Sequence, residues 1–291
     1  MLKKIKELFI PQQLLKGNCG IEREMLRVDK NGYLSFTDHP EIFGDKVLNP
    51  YITTDFSESQ VEVITPALDK IEETYSFLKA LYDIVALEIG DEILWPQSMP
   101  CFIPEDDEIP VAKYSEEGRE AEEYRNKLLK KYGGKKQLIS GIHYNYSFNE
   151  EIIRKLYESS DKELTYKEYK NSIYLKVARN YLRYRWIIVY LLGAAPVIHE
   201  SFLNGCSCKL KQISEDGYTL DGAVSHRNGE CGYRNKEELY PNYDTVEDYV
   251  ESINKYVNDG VIDSHKELYS QVRLKAKEPK NFLNSLLEAG I

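Results

Sequence analysis

Side chains between Gly20 and Val28 alternate with the two-residue period of a strand. Glu22 and Glu24 then share one face, roughly 7 Å apart, while Arg23 and Met25 take the other. Asp29-Lys30-Asn31-Gly32 is a turn signal, and Tyr33–Phe36 is the expected returning strand. Residues 51–65 are rich in β-branched side chains and stop at Pro66, which predicts two short strands around an irregular turn. In the second of these, Gln60, Glu62 and Ile64 share a face and Val61 and Val63 the other. Residues 138–147 alternate again, with His143, Asn145 and Ser147 on one face and Ile142, Tyr144 and Tyr146 on the other.

The period lengthens to that of a helix elsewhere. Residues 3–15 read as a short helix. Residues 70–90 carry Ile71, Tyr75, Leu78, Leu81, Tyr82 and Val85 at helical spacing and end at Gly90. Residues 116–132 form a charged helix bearing Tyr124 and Arg125, stopped by Gly133-Gly134. Helices are also expected over 150–158, 167–192, Thr245–Asn258 with Thr245 as N-cap, and Pro279–Glu288. Residues 203–234 are glycine-rich and irregular.

At 291 residues and 42% hydrophobic, the chain can bury a sizeable core. No repeat, low-complexity linker or composition shift marks a boundary, so one domain over residues 1–291 is expected. A net charge of -10 argues against a nucleic-acid backbone as the main partner, because phosphate tracking needs a basic stripe. The longest apolar run, Trp186 to Ala195, is too short to span a bilayer, and the basic start lacks the apolar stretch of a signal peptide. A cytoplasmic protein without a membrane partner is expected. Five cysteines without a dense framework read as reduced thiols, although Cys206 and Cys208 also sit at a spacing that metal ligands use.

The chemistry concentrates in acidic side chains. Two ionised carboxylates as close as Glu22 and Glu24 repel unless a cation lies between them, and a hard divalent ion such as Mg²⁺ or Mn²⁺ suits oxygen ligands. The same pair also fits a solvated edge strand. If the strand holding Glu62 pairs nearby, Glu62 joins the set, and Asp55 enters from the turn. His143 is either structural or a ligand on a polar strand face. Arg227, in Ser225-His226-Arg227-Asn228-Gly229, reads either as an exposed loop residue or as a clamp for a carboxylate or phosphate. No glycine-rich phosphate cradle is present: Gly133-Gly134-Lys135-Lys136 lacks the spacing and the Ser/Thr of a P-loop. A nucleotide would have to be held through metal ions and scattered cations.

Four ordered motifs complete the picture: Gly20-Ile21-Glu22-Arg23-Glu24-Met25-Leu26-Arg27-Val28; Thr54-Asp55-Phe56-Ser57-Glu58 leading to Glu62-Val63-Ile64-Thr65-Pro66; Trp95-Pro96-Gln97-Ser98-Met99-Pro100; and Ile139-Ser140-Gly141-Ile142-His143-Tyr144-Asn145. Together they resemble the bacterial glutamate–cysteine ligase family, including the ligase half of bifunctional glutathione synthesis enzymes, from about residue 15 onward. The resemblance implies an α+β, glutamine-synthetase-like fold, a curved antiparallel sheet flanked by helices. It implies that ATP phosphorylates the γ-carboxylate of L-glutamate and that the amine of L-cysteine attacks the acyl phosphate. Glu22, Glu24, Asp55, Glu62 and His143 would surround Mg²⁺ or Mn²⁺. Arg125 would reach the ATP phosphates and Arg227 would hold the glutamate carboxylate, while Phe56, Tyr124, His143, Arg227 and Tyr233 would bind substrate. Family members continue past a helix ending in Gly-Ile into a strand with a Glu-x-Arg motif. The expectation is therefore a catalytic domain short of its C-terminal portion, completed by a further region or chain. A non-catalytic module that binds metal-nucleotide, and a ligase with another amine acceptor, are the alternatives.

Overall fold

The computed structural model describes residues 2–203, 206, 209–232 and 239–262. Cys208, Tyr233 and the helix expected over Pro279–Glu288 lie outside the described residues. The chain opens with α1 (Leu2–Leu8) and α2 (Pro11–Leu14), where a single helix was expected. Pro11 has no N–H and clashes with the carbonyl four residues back, so the helix stops and restarts with proline in its first turn. Then come β1 (Gly17–Val28), β2 (Ile52–Thr54), β3 (Gln60–Ile64), α3 (Ile71–Glu88), β4 (Ile93–Leu94), α4 (Arg119–Tyr132) and β5 (Ile142–Phe148). They are followed by α5 (Glu150–Glu158), α6 (Tyr166–Leu192), β6 (Ile198–His199), β7 (Lys211–Gln212), β8 (Gly217–Thr219) and α7 (Val246–Asn258).

The described residues form two compact units. The first contains residues 17–147 and 193–232. Its main sheet has the order β2-β3-β1-β4, and β5 also pairs with β1. β1 runs antiparallel to β3 with Glu22 opposite Ile64, Glu24 opposite Glu62 and Leu26 opposite Gln60. The alternation then separates two faces. Met25, Val61, Val63 and Ile52 pack with Leu81 and Val85 of α3 into a buried cluster. Burying each such side chain contributes about 1.5–3 kcal/mol, which fixes the register: a one-residue slip would turn every one of them outward. The opposite face grades along β1 from apolar to acidic. Leu26 and Val28 belong to a second buried cluster with Phe56, Met99, Leu138 and Ile139, whereas Glu22 and Glu24 lie at the other end.

The segment Tyr33–Phe36 departs from expectation. Leu34 makes a lone bridge to Val28, but its N–H donates to the Phe102 carbonyl at 2.9 Å. The Ser35 hydroxyl donates to Glu92 at 2.5 Å. The Asp29 N–H donates to the Tyr33 carbonyl and the Ser35 N–H to the Arg27 carbonyl, both at 2.9 Å, so the return is a one-bridge hairpin and not a full strand. β5 also reverses the usual rule. Its alternation is as expected, yet Ile142 and Tyr144 are the exposed side chains, at 66% and 58%, and the polar set faces the acidic end of β1.

β6, β8 and β7 pair in that order into a small antiparallel sheet. Ala195 bridges Ser225, and His226 N–H donates to the Ala195 carbonyl at 2.8 Å, which anchors the short turn His226–Asn228 that carries Arg227. Cys206 and Cys231 form a disulfide with Cα atoms 4.8 Å apart. The expectation of reduced thiols is thereby corrected for this pair: Cys231 is buried in the apolar cluster and half-buried Cys206 packs against it, which brings their sulfurs together. Cys19 and Cys101 remain free and buried.

The second unit is helical. Phe9, Ile152 and Leu156 form one buried cluster, and Leu175, Ala178, Tyr243, Tyr249, Ile253 and Ile262 another. Asn149 caps α5 and Thr245 caps α7, each through a side-chain oxygen that accepts a first-turn N–H. Among the described residues no helix is long and apolar enough to cross a membrane.

Candidate active site

The acidic face of the main sheet is built by three neighbouring strands. β1 supplies Glu22 and Glu24, β3 supplies Glu62 opposite Glu24, and β5 lays His143 and Asn145 alongside. His143 Nδ1 lies 3.0 Å from Glu22 Oε2, and its Nε2 lies 3.7 Å from Glu24 Oε1. Asn145 Nδ2 donates to Glu22 Oε1 at 2.9 Å. The Gly141 N–H donates to Glu24 Oε2 at 2.7 Å. One ligand atom each from Glu22, Glu62 and His143 lie within 4.8 Å of one another.

The electrostatics of this wall are unfavourable by themselves. Burial, followed by the charge of Asp55, raises the Glu24 carboxyl to about 7. Burial, then Asp55, Glu24 and Glu22, raise Glu62 to about 8. The hydrogen bond to Glu22 is the main cause that raises His143. Near neutral pH the wall therefore carries protons in place of full negative charge.

This donor set fits a hard divalent cation. Mg²⁺ holds oxygens at about 2.0–2.1 Å, which puts opposite ligands about 4.2 Å apart, so a span of 4.8 Å closes with shifts of a few tenths of an ångström. An ion would replace the protons on Glu24 and Glu62 and offset their repulsion. The second hydrogen bonds, from Asn145 to Glu22 and from Gly141 to Glu24, orient the carboxylates.

The cationic side chains expected at the site sit on other elements of the same unit. Arg125, on α4, donates from Nε to the Asp55 carbonyl and from Nη1 to the Ala121 carbonyl at 3.0 Å, and its guanidinium lies 4.8 Å from the Tyr114 ring centroid. Arg227 donates from Nη1 to the Ile139 carbonyl at 3.3 Å, just ahead of β5, and its charge reaches both Glu24 and His143. Tyr124 is half-buried one residue before Arg125. Phe56 is 3% exposed and packs within the apolar cluster.

Asn145, Gly141 and Tyr114 are contributors that sequence reasoning did not assign. Asn145 had a signal, since it lies two residues after His143 on the same strand face. Gly141 and Tyr114 had none, because their roles depend on contacts with Arg227 and Arg125 that only the folded chain creates.

Comparison with known proteins gives the family. The family model described as glutamate-cysteine ligase matches residues 2–259. A glutathione biosynthesis bifunctional protein from Clostridium perfringens is 45% identical over 293 residues, covering 100% of this chain and 37% of that protein. Its counterpart from Desulfotalea psychrophila is 44% identical, covering 95% of this chain and 36% of the relative. Among solved structures, a glutamate–cysteine ligase from Francisella tularensis in complex with AMP superposes with a TM-score of 0.81 at 30% identity, covering 93% of this chain and 58% of that one. A bifunctional glutathione synthetase from Pasteurella multocida gives 0.80 at 35% identity, covering 97% and 35%. The chain thus spans about a third of the length of these curated relatives. The α+β architecture with its antiparallel sheet, the acidic wall on that sheet and a family match over most of the sequence lead to one conclusion: this chain belongs to the glutamate–cysteine ligase family.

Proposed function

We propose that the chain carries the nucleotide- and glutamate-binding part of an ATP-dependent ligase that joins the γ-carboxylate of L-glutamate to the amine of L-cysteine. The observation that supports this most is the meeting of Glu22, Glu62 and His143, with Glu24 alongside, on one sheet face. Glu22, Glu24, Asp55, Glu62 and His143 would hold Mg²⁺ or Mn²⁺. When bound, the ion neutralises phosphate charge and lowers the repulsion between two approaching anions. Arg125 adds positive charge for the ATP phosphates. Arg227 offers a planar fork of donors for the substrate carboxylate.

Activation is required because a carboxylate is a poor electrophile with a poor leaving group. A glutamate γ-carboxylate oxygen attacks the γ-phosphorus of ATP, and the bond to the ADP oxygen breaks. The cysteine nitrogen then attacks the acyl carbon, phosphate departs with the former carboxylate oxygen, and the nitrogen loses a proton. The half-buried wall and the two guanidiniums would orient the anions. Tyr124 and Tyr233 would shape the cysteine side of the site, and Phe56 would support it from the core. Cytoplasm, where ATP is available, is the compartment we propose.

The test is ADP release from ATP and Mg²⁺, measured with L-glutamate and L-cysteine together and with each omitted. It is run on the 291-residue chain, alone and with the C-terminal ligase portion of the Clostridium perfringens relative added in trans. ADP release that needs both amino acids supports the proposal. Binding of Mg-ATP without amino-acid-dependent turnover in either mixture favours a non-catalytic module. Equal turnover with other amines in place of cysteine favours a different acceptor.

A further inference from the structure

Gly141 lies between two charged groups of the site. Its N–H donates to Glu24 Oε2 at 2.7 Å, and its carbonyl accepts the Glu24 N–H at 3.0 Å. Against its α-carbon lies the guanidinium of Arg227, whose Nη1 donates to the Ile139 carbonyl at 3.3 Å. A Cβ on residue 141 would stand 2.5 Å from Arg227 Nη2, 2.8 Å from Cζ and 3.1 Å from Nη1. Side-chain carbons do not approach other heavy atoms that closely in folded proteins. Gly141 is buried, and its backbone does not use the left-handed region, so the conformation itself would accept an alanine. The obstacle to a side chain here is the guanidinium.

We propose that Gly141 is the positioning residue for Arg227: the side chain it lacks is the space the guanidinium occupies, and this fixes how far the carboxylate clamp stands from Glu24 and the metal-binding wall. The inference rests on the reading of Arg227 as the group that holds the glutamate carboxylate. Two hydrogen bonds tie Gly141 to Glu24 on one side, and van der Waals contact with Arg227 sets the other. One glycine thereby sets the separation between the group that grips the substrate and the carboxylates beside the reacting end. A methyl group would push the guanidinium away while leaving both Glu24 hydrogen bonds available, since these come from the backbone.

The test is calorimetric titration of L-glutamate, and separately of Mg-ATP, into the 291-residue chain and into Gly141→Ala, Arg227→Ala and the double variant. Thermal melts accompany each titration. The expected result is that Gly141→Ala weakens L-glutamate binding by about tenfold or more, the scale of one charge-assisted hydrogen bond, and by a clearly larger factor than Mg-ATP binding. In the Arg227→Ala background the same glycine change has no further effect, because the obstacle is gone. The inference is overturned if Gly141→Ala leaves glutamate binding intact, if it weakens glutamate and Mg-ATP alike, or if it costs the same factor without the arginine. Should Gly141→Ala fail to fold, recovery of folding in the double variant supports the steric account, and an unfolded double variant overturns it. If Arg227→Ala binds L-glutamate as well as the unaltered chain, or the unaltered chain binds none, the assignment of Arg227 to the substrate carboxylate fails instead.

Discussion

Glu24 and Glu62 stand directly opposite one another on β1 and β3. A pair of facing valines there would complete a plain two-layer core. Two carboxyls instead make the sheet face costly unless protons or a cation neutralise it, and the raised values of about 7 and about 8 express that cost.

Cation affinity should therefore rise with pH. Between pH 6 and 8 an ion must displace protons from Glu24 and Glu62, and the work of doing so falls as the bulk proton concentration falls. Calorimetry of Mn²⁺ binding in buffers of different ionisation enthalpy should show proton release at pH 7, smaller at pH 9. Binding without proton release at pH 7 would contradict the raised carboxyls.

The same shift has a stability consequence with a definite sign. Glu62 binds its proton more tightly folded, with a value near 8, than unfolded, where it titrates near 4.5. Between those values the folded state holds more protons, so stability falls as pH rises through the window. Glu62→Gln removes the titration. We expect the metal-free variant to be more stable than the unaltered chain at pH 8, by about 1–2 kcal/mol after allowance for partial solvation, and equal to it near pH 4. Melting temperatures at the two pH values, without divalent ions, decide this.

Asn145 should act on the ion through Glu22. Removing its amide in Asn145→Ala leaves Glu22 Oε1 without that donor. Loss of an outer hydrogen bond of this kind costs about tenfold in metal affinity. Asn145→Asp should cost less than the alanine, since it loses the same donor but adds a negative charge that attracts the cation. Affinities unchanged in both variants would mean that Glu22 does not bind the ion.

Phe56 should show its weight in stability. At 3% exposure among Leu26, Met99 and Ile139, its replacement by alanine is expected to cost about 3–5 kcal/mol in urea unfolding. A much smaller loss, together with weakened L-cysteine binding, would place the ring on the substrate side.

Much of this was legible before folding. Alternation alone put Glu22 with Glu24, Glu62 opposite valines, and His143 with Asn145, because a period of two leaves little freedom once a strand is granted. The helices over 71–88, 150–158 and 246–258 were equally plain from their spacing and caps. What alternation does not carry is pairing. That β5 joins β1, and so brings His143 to Glu22, depends on contacts across 121 residues. The Tyr33–Phe36 return forms but stays one bridge long, with Asp29 N–H on the Tyr33 carbonyl and Ser35 N–H on the Arg27 carbonyl, while Leu34 turns its own N–H to Phe102, far along the chain. Cys206 and Cys231, 25 residues apart, meet only because the intervening segment folds back. Local spacing also gave no hint that Gly141 faces Arg227.

The most direct test is crystallographic. Crystals of the chain soaked with Mn²⁺ and a non-hydrolysable ATP analogue are measured at a wavelength where manganese scatters anomalously. The expected result is an anomalous peak on the sheet face among Glu22, Glu62 and His143, with carboxylate oxygens at about 2.2 Å and analogue phosphate oxygens completing the shell. Well-ordered carboxyls with no peak between them, or an analogue bound away from that face, would contradict the claim that the acidic wall holds the nucleotide through divalent ions.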